Sequence, residues 1–163
     1  MHVTLAFIGQ TSEERLTDVS ASVETAAAGV TAFDIELDHA GRFPPTGRPR
    51  VVWLWVGAGA SSVLAIGERV RAELARREVR FDAKPLRAHV TLGRAREDVS
   101  LVDARAIAAG VEAMRVPHLR FRVDAVVVFE SVLSPRGPRY TARSSPRLRL
   151  GGASAQPGPE LRL

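Results

Sequence analysis

Apolar side chains recur along this chain with two periods, and the switches between them mark out its elements. Strand formers run from His2 to Ile8 and stop at Gly9. Thr11 then stands three residues ahead of Glu14, a capping-box spacing that predicts a helix carrying Leu16, Val19 and Val23 and stopping near Gly29. Phe33, Ile35 and Leu37 alternate with Asp34, Glu36 and Asp38, the period-two signature of a half-buried strand. A Pro/Gly loop follows from Phe43 to Gly47. Val51 to Val56 is an unbroken apolar run with two tryptophans and predicts a buried strand. Ser61 or Ser62 is the expected cap of a second helix with Leu64, Val70 and Leu74. His89 to Leu92 predicts a strand, Ser100 and Asp103 open a third helix, Leu119 to Phe129 reads as one strand region, and Arg139 to Thr141 as a last short strand.

Strands that follow one another without a crossover helix argue for an α+β fold with mainly antiparallel sheets. From Gly151 onward Gly, Ser, Ala and Pro dominate, so residues 151–163 are expected to be a disordered tail after a single domain over 1–150.

Composition narrows the picture only a little. There is no cysteine, which excludes disulfides, thiolate nucleophiles and thiolate metal sites. No apolar run approaches a membrane span and no secretory pattern opens the sequence, so a cytoplasmic protein without membrane contact is expected. The formal charge is +5, and Lys84 is the only lysine among 23 basic residues. Arginine grips phosphate and stacks on bases, which suits a nucleic-acid partner. An arginine-rich, lysine-poor composition also follows from GC-rich coding, so charge alone decides nothing.

What changes the picture is a repetition. His-Val-Thr-Leu occurs at His2–Leu5 and again at His89–Leu92. Side chains at i and i+2 of a strand share a face, so each copy presents its histidine and threonine together. Two such strands side by side would aim two imidazoles and two hydroxyls into one cleft. That set suffices for attack on a phosphodiester. A neutral imidazole takes a proton from water, and a protonated one gives a proton to the departing ribose oxygen. The threonines donate to the phosphoryl oxygens. A lone His-x-Thr is ordinarily a structural histidine; its recurrence in the same strand context shifts the balance.

The stretches His2–Gly9 and His89–Arg94 resemble the two signatures of the 2H phosphoesterases, with the bacterial and archaeal RNA 2′,3′-cyclic phosphodiesterases, also called 2′-5′ RNA ligases, as the nearest match. The resemblance extends to Phe43-Pro44, Arg48–Leu54, Arg87-Ala88-His89 and Phe129 through Tyr140, and covers residues 1–150. It implies a bilobal 2H phosphoesterase-like fold with a pseudo-twofold axis, two mainly antiparallel sheets, helices outside and a central cleft. It implies His2 as proton donor, His89 as proton acceptor, and Thr4 and Thr91 as phosphate holders. The implied reaction opens RNA or nucleoside 2′,3′-cyclic phosphates to 2′-phosphomonoesters, with neither metal nor other cofactor, and in some members joins RNA ends through a 2′-5′ bond. The expected partner is an RNA end or a nucleotide carrying the cyclic phosphate, and the expected state is a monomer. Two other readings are an RNA-end-binding module without turnover and a phosphodiesterase for another small cyclic phosphate.

Phe7 and Arg94 each lie five residues after a motif histidine, and the resemblance implies that they sandwich a base. Strict alternation would turn both away from the histidine face, and core packing is the alternative for Phe7. Arg87, two before His89, is expected on the histidine face if the strand starts that early, touching phosphate. His39 and His118 are expected to be solvated, Trp53 and Trp55 to pack in the core or between lobes, and the run Arg136, Arg139, Arg143, Arg147 and Arg149 to be solvated rather than to track RNA. Family members carry a strand ahead of the first motif. That first N-terminal strand has no counterpart before His2, and the expectation is a natural start upstream.

Overall fold

A computed structural model describes residues 2–134 and 137–151; the predicted tail, but for Gly151, lies outside them. The elements in chain order are α1 (Glu13–Ala27), β1 (Phe33–Phe43), β2 (Val51–Val56), α2 (Ala60–Arg76), β3 (His89–Arg94), α3 (Leu101–Ala113), β4 (Leu119–Val123), β5 (Val128–Ser134) and β6 (Gly137–Ser144). β1 to β4 form one antiparallel sheet in the order β3-β2-β1-β4, and β5 and β6 form a second, two-stranded one. The architecture is α+β with antiparallel sheets, as the order of elements predicts.

One face of the larger sheet is apolar because alternate positions along its strands are. Ile35, Leu37, Leu54, Val56 and Val90 are buried there with Val3 and Leu5. Val19, Val23 and Ala26 of α1 and Val63, Ile66, Val70 and Leu74 of α2 complete the same core. Burial of each large aliphatic chain contributes on the order of 1.5–3 kcal/mol. The opposite face of the sheet carries polar and aromatic groups. At the β4 edge Asp34 accepts from Arg120 at 2.6 Å and from Arg122 at 3.3 Å.

Four expectations are corrected. His2–Ile8 does not form a strand ladder; it makes one isolated antiparallel bridge, Val3 to Val90. The first helix is capped by Ser12, whose hydroxyl accepts from the Arg15 N–H, and not by Thr11, which donates to the Gly9 carbonyl. The second helix starts behind Gly59 at φ +84°, without a side-chain cap, so neither Ser61 nor Ser62 plays that part. Leu119–Phe129 divides in two, because Ala125 leaves the first sheet to bridge Arg147. Ser100 caps the third helix as predicted, accepting from the Asp103 N–H at 3.0 Å.

Candidate active site

Val3 and Val90 are buried and paired, which turns their neighbours the other way. In an antiparallel pairing with Val3 opposite Val90, His2 falls opposite Thr91 and Thr4 opposite His89. The two His-x-Thr pairs therefore meet on one face, each histidine next to the other copy's threonine. His2 is half-buried and faces Tyr140 of β6 edge-on, 6.0 Å between ring centres. The first motif thus lies between the two sheets, and Tyr140 is a neighbour that sequence reasoning did not single out. Its place inside the resemblance, at the end of Phe129–Tyr140, was the available signal.

The two imidazoles are held differently. His89 Nδ1 lies 2.7 Å from the Arg87 carbonyl oxygen. A carbonyl only accepts, so Nδ1 carries the proton and donates it, leaving Nε2 of the neutral ring as a base. His89 is braced edge-on by Phe43 at 5.5 Å and by Trp53 at 6.3 Å. His2 makes no such bond among those described, and its pKa is lowered, first by burial and then by the positive charge of the nearby amino terminus.

With a single bridge to hold it, the first motif relies on side chains. Arg71 of α2 donates from Nε to the Leu5 carbonyl at 3.1 Å and from Nη1 to the Lys84 carbonyl at 2.9 Å. One guanidinium so ties the segment after His2 to the segment leading to His89. The Asp82 N–H donates to the Phe7 carbonyl at 2.8 Å and closes the same seam.

Arg87 precedes β3 rather than belonging to it. Its guanidinium stands 5.3 Å over the Phe43 ring, beside His89, while its carbonyl sets the His89 tautomer. Arg94 behaves differently from strict alternation. In the β2–β3 pairing Trp53 faces Thr91 but Val52 faces Gly93 and Val51 faces Arg94, so Leu92 is an extra residue, a β-bulge. The bulge shifts the phase by one and puts Arg94 on the histidine face. Phe7 is 67% exposed, which removes the core-packing alternative.

Of the two places expected for Trp53 and Trp55, the structure excludes the core. Trp55 pairs with His89, Trp53 with Thr91, and both stand half-buried on the histidine face, outside the core. His39, expected to be solvated, is exposed and lies in β1 opposite Trp55 on that same face. His118 is exposed, 3.9 Å from Glu36. Of the C-terminal arginines, Arg143 pairs with Glu130 and Glu13, and Arg147 with Asp124, so these two are ion-paired rather than simply solvated. Arg136 lies outside the described residues. Among the described residues no three His, Asp or Glu side chains gather as a metal-ion ligand set, and no helix is long and apolar enough to cross a membrane.

This arrangement agrees with the family model of the 2′-5′ RNA ligase superfamily, which matches residues 1–133. The chain belongs to that superfamily. An RNA 2′,3′-cyclic phosphodiesterase of Aeropyrum pernix is 33% identical over 143 residues, 85% of this chain and 77% of the relative. One of Thermotoga maritima is 26% identical over 140 residues, 86% of this chain and 71% of the relative. Among solved structures, TT0787 of Thermus thermophilus superposes with a TM-score of 0.72 at 30% identity, covering 91% of this chain and 78% of that one. Escherichia coli LigT complexed with 3′-AMP gives 0.66 at 25% identity, covering 90% and 75%. The fold of this 2′-5′ RNA ligase superfamily member is therefore LigT-like.

Proposed function

We propose that the chain hydrolyses RNA 2′,3′-cyclic phosphates to 2′-phosphomonoesters with His2 and His89 as an acid–base pair. The observation that carries this reading is the Val3–Val90 bridge, which supports two facing His-x-Thr pairs on one surface. The names of the relatives, RNA 2′,3′-cyclic phosphodiesterases, point to the same substrate class. In the proposed step, neutral His89 removes a proton from water through Nε2 as the water oxygen attacks phosphorus. The bond from phosphorus to the ribose 3′ oxygen breaks, and protonated His2 delivers the proton that this oxygen needs. Thr4 and Thr91 donate to the non-bridging oxygens, where charge accumulates. Arg94 and the Arg87 guanidinium supply positive charge at the rim for the substrate phosphates. With a ribose 5′-hydroxyl in place of water, the same displacement forms a 2′-5′ bond, which is the ligation reading.

The test is turnover of a nucleoside 2′,3′-cyclic phosphate in excess EDTA. Activity is expected to persist in EDTA and to fall on the order of 10²–10⁴-fold in His89→Ala and in His2→Ala. Wild-type rates in both variants would sink the two-histidine mechanism. Salt-sensitive binding of RNA ends with no turnover would instead make the chain a binding module.

A further inference from the structure

The face of the sheet that carries His89 continues into a row of rings that the acid–base chemistry leaves unused. Reading across three strands, His89 on β3 is opposite Trp55 on β2, and Trp55 is opposite His39 on β1. In the next row Thr91 is opposite Trp53, and Trp53 is opposite Gly41. Residues paired across strands point to the same side, so the rings form one continuous shelf. His39 and Trp55 are near parallel, 28° apart with centres 6.2 Å apart, and Trp53 lies 5.5 Å from Trp55. The shelf is built into the backbone. A Cβ on residue 41 would collide with the six-membered ring of Trp53, so glycine there lets the indole lie across β1. None of His39, Trp53 and Trp55 takes part in the hydrophobic core or packs on it.

We propose that this shelf is a stacking subsite for the nucleotide on the 5′ side of the terminal cyclic phosphate. The inference rests on the RNA reading of the site and adds that an oligonucleotide, rather than a small cyclic phosphate, is the preferred substrate. Strand-face rings are a common platform for unpaired bases, because every base has a π-face. With strands about 4.8 Å apart, His39 lies roughly 10 Å from His89, room for one more nucleotide beyond the reacting phosphate. The cyclic phosphate ends an RNA strand at its 3′ side, so the only chain available to cross the shelf runs 5′ from it. Arg87 stands over Phe43, whose ring meets His89 edge-on, and adds a positive charge beside the shelf.

Trp53 and Trp55 are the only tryptophans, so tryptophan emission reports on the shelf alone. The experiment compares a dinucleotide ending in a 2′,3′-cyclic phosphate with the corresponding mononucleotide, in the wild type, His39→Ala and Trp55→Leu. In the wild type the dinucleotide is expected to have a kcat/KM roughly tenfold or more higher. Both substitutions are expected to bring this ratio toward unity. The dinucleotide 2′-phosphate product, which is not turned over, is expected to quench tryptophan emission more strongly and at lower concentration than the mononucleotide product. A ratio near unity in the wild type, or one that both variants retain, overturns the subsite. If neither substrate turns over, the catalytic reading fails by itself, and equal quenching by the two products then separately overturns the shelf.

Discussion

The proposed role of His2 as general acid requires that it enter the reaction carrying its proton, and burial works against that. Its lowered pKa leaves the free protein mostly neutral there at pH 7, whereas a bound phosphate, negatively charged, favours the imidazolium. The sign follows: His2 loses its proton below pH 6.5 in the free protein and holds it to higher pH with phosphate bound. The NMR resonance of the His2 ring is therefore expected to titrate below 6.5, and to move upward on addition of inorganic phosphate. A titration midpoint above 6.5 in the free protein would contradict the burial argument. Gly41 carries the second prediction at this scale. Gly41→Ala forces the Trp53 ring off β1 and is expected to cost about 1–3 kcal/mol in urea unfolding. The histidines and threonines were legible in the sequence because their spacing of two fixes a shared face in any strand. The tryptophans were not: in an unbroken apolar run such as Val51–Val56, nothing marks which face stays open.

Among the elements, the first motif and α2 depend on one another in a way that hydrogen bonds make explicit. Arg71 and Arg69 stand two residues apart on α2 and bond alike, each guanidinium reaching two backbone carbonyls. Those of Arg71 belong to Leu5 and Lys84, in the segments that carry the histidines; those of Arg69 belong to Ala26 and Ala28, at the far end of α1. Arg71→Met and Arg69→Met are accordingly expected to lose similar stability, about 1–3 kcal/mol. Only Arg71→Met should also lose kcat, on the order of 10²-fold at little change in KM, because it loosens His2 against His89. Equal kcat in the two variants would reduce Arg71 to a structural residue. The caps illustrate what can be read in advance. Ser100 announces its helix through Asp103, whereas the start of α2 depends on a left-handed glycine and the serines behind it were misleading. The break at Ala125 was hidden too, since it answers to Arg147, a partner 22 residues away that no local pattern reveals.

For the whole molecule, the order of helices and strands disclosed an α+β fold, but not the order within the sheet. β4 joins beside β1, across a long stretch of sequence, and two ion pairs from Asp34 bind that edge. Such long-range neighbours follow from packing and have no local signature. The formal charge of +5 acts at this scale as well. Each phosphate that an arginine neutralises releases a counterion, so KM for an oligonucleotide is expected to rise steeply between about 50 and 200 mM salt. A mononucleotide with fewer phosphates should show a shallower slope. Identical slopes for both would mean that the RNA backbone beyond the reacting group is not touched.

The bulge at Leu92 amounts to a change of parity. Before it, the positions of β3 on the histidine face are odd-numbered, His89 and Thr91; after it they are even, with Arg94 on the same side. A strand thus keeps three polar side chains on one face at separations of two and three, which a flat ladder forbids. The arginine's side is set by its partner Val51 across the ladder, and the count of residues from the histidine follows from that. Flattening the strand with Leu92 still in it would turn the guanidinium through to the other side of the sheet. Deleting Leu92 outright would leave every cross-strand partner in place and the arginine where it is, now at an even distance from His89. An odd interval in the sequence is therefore an even one in the sheet, and a gap of one residue at this point, which reads as damage on paper, would be silent in space.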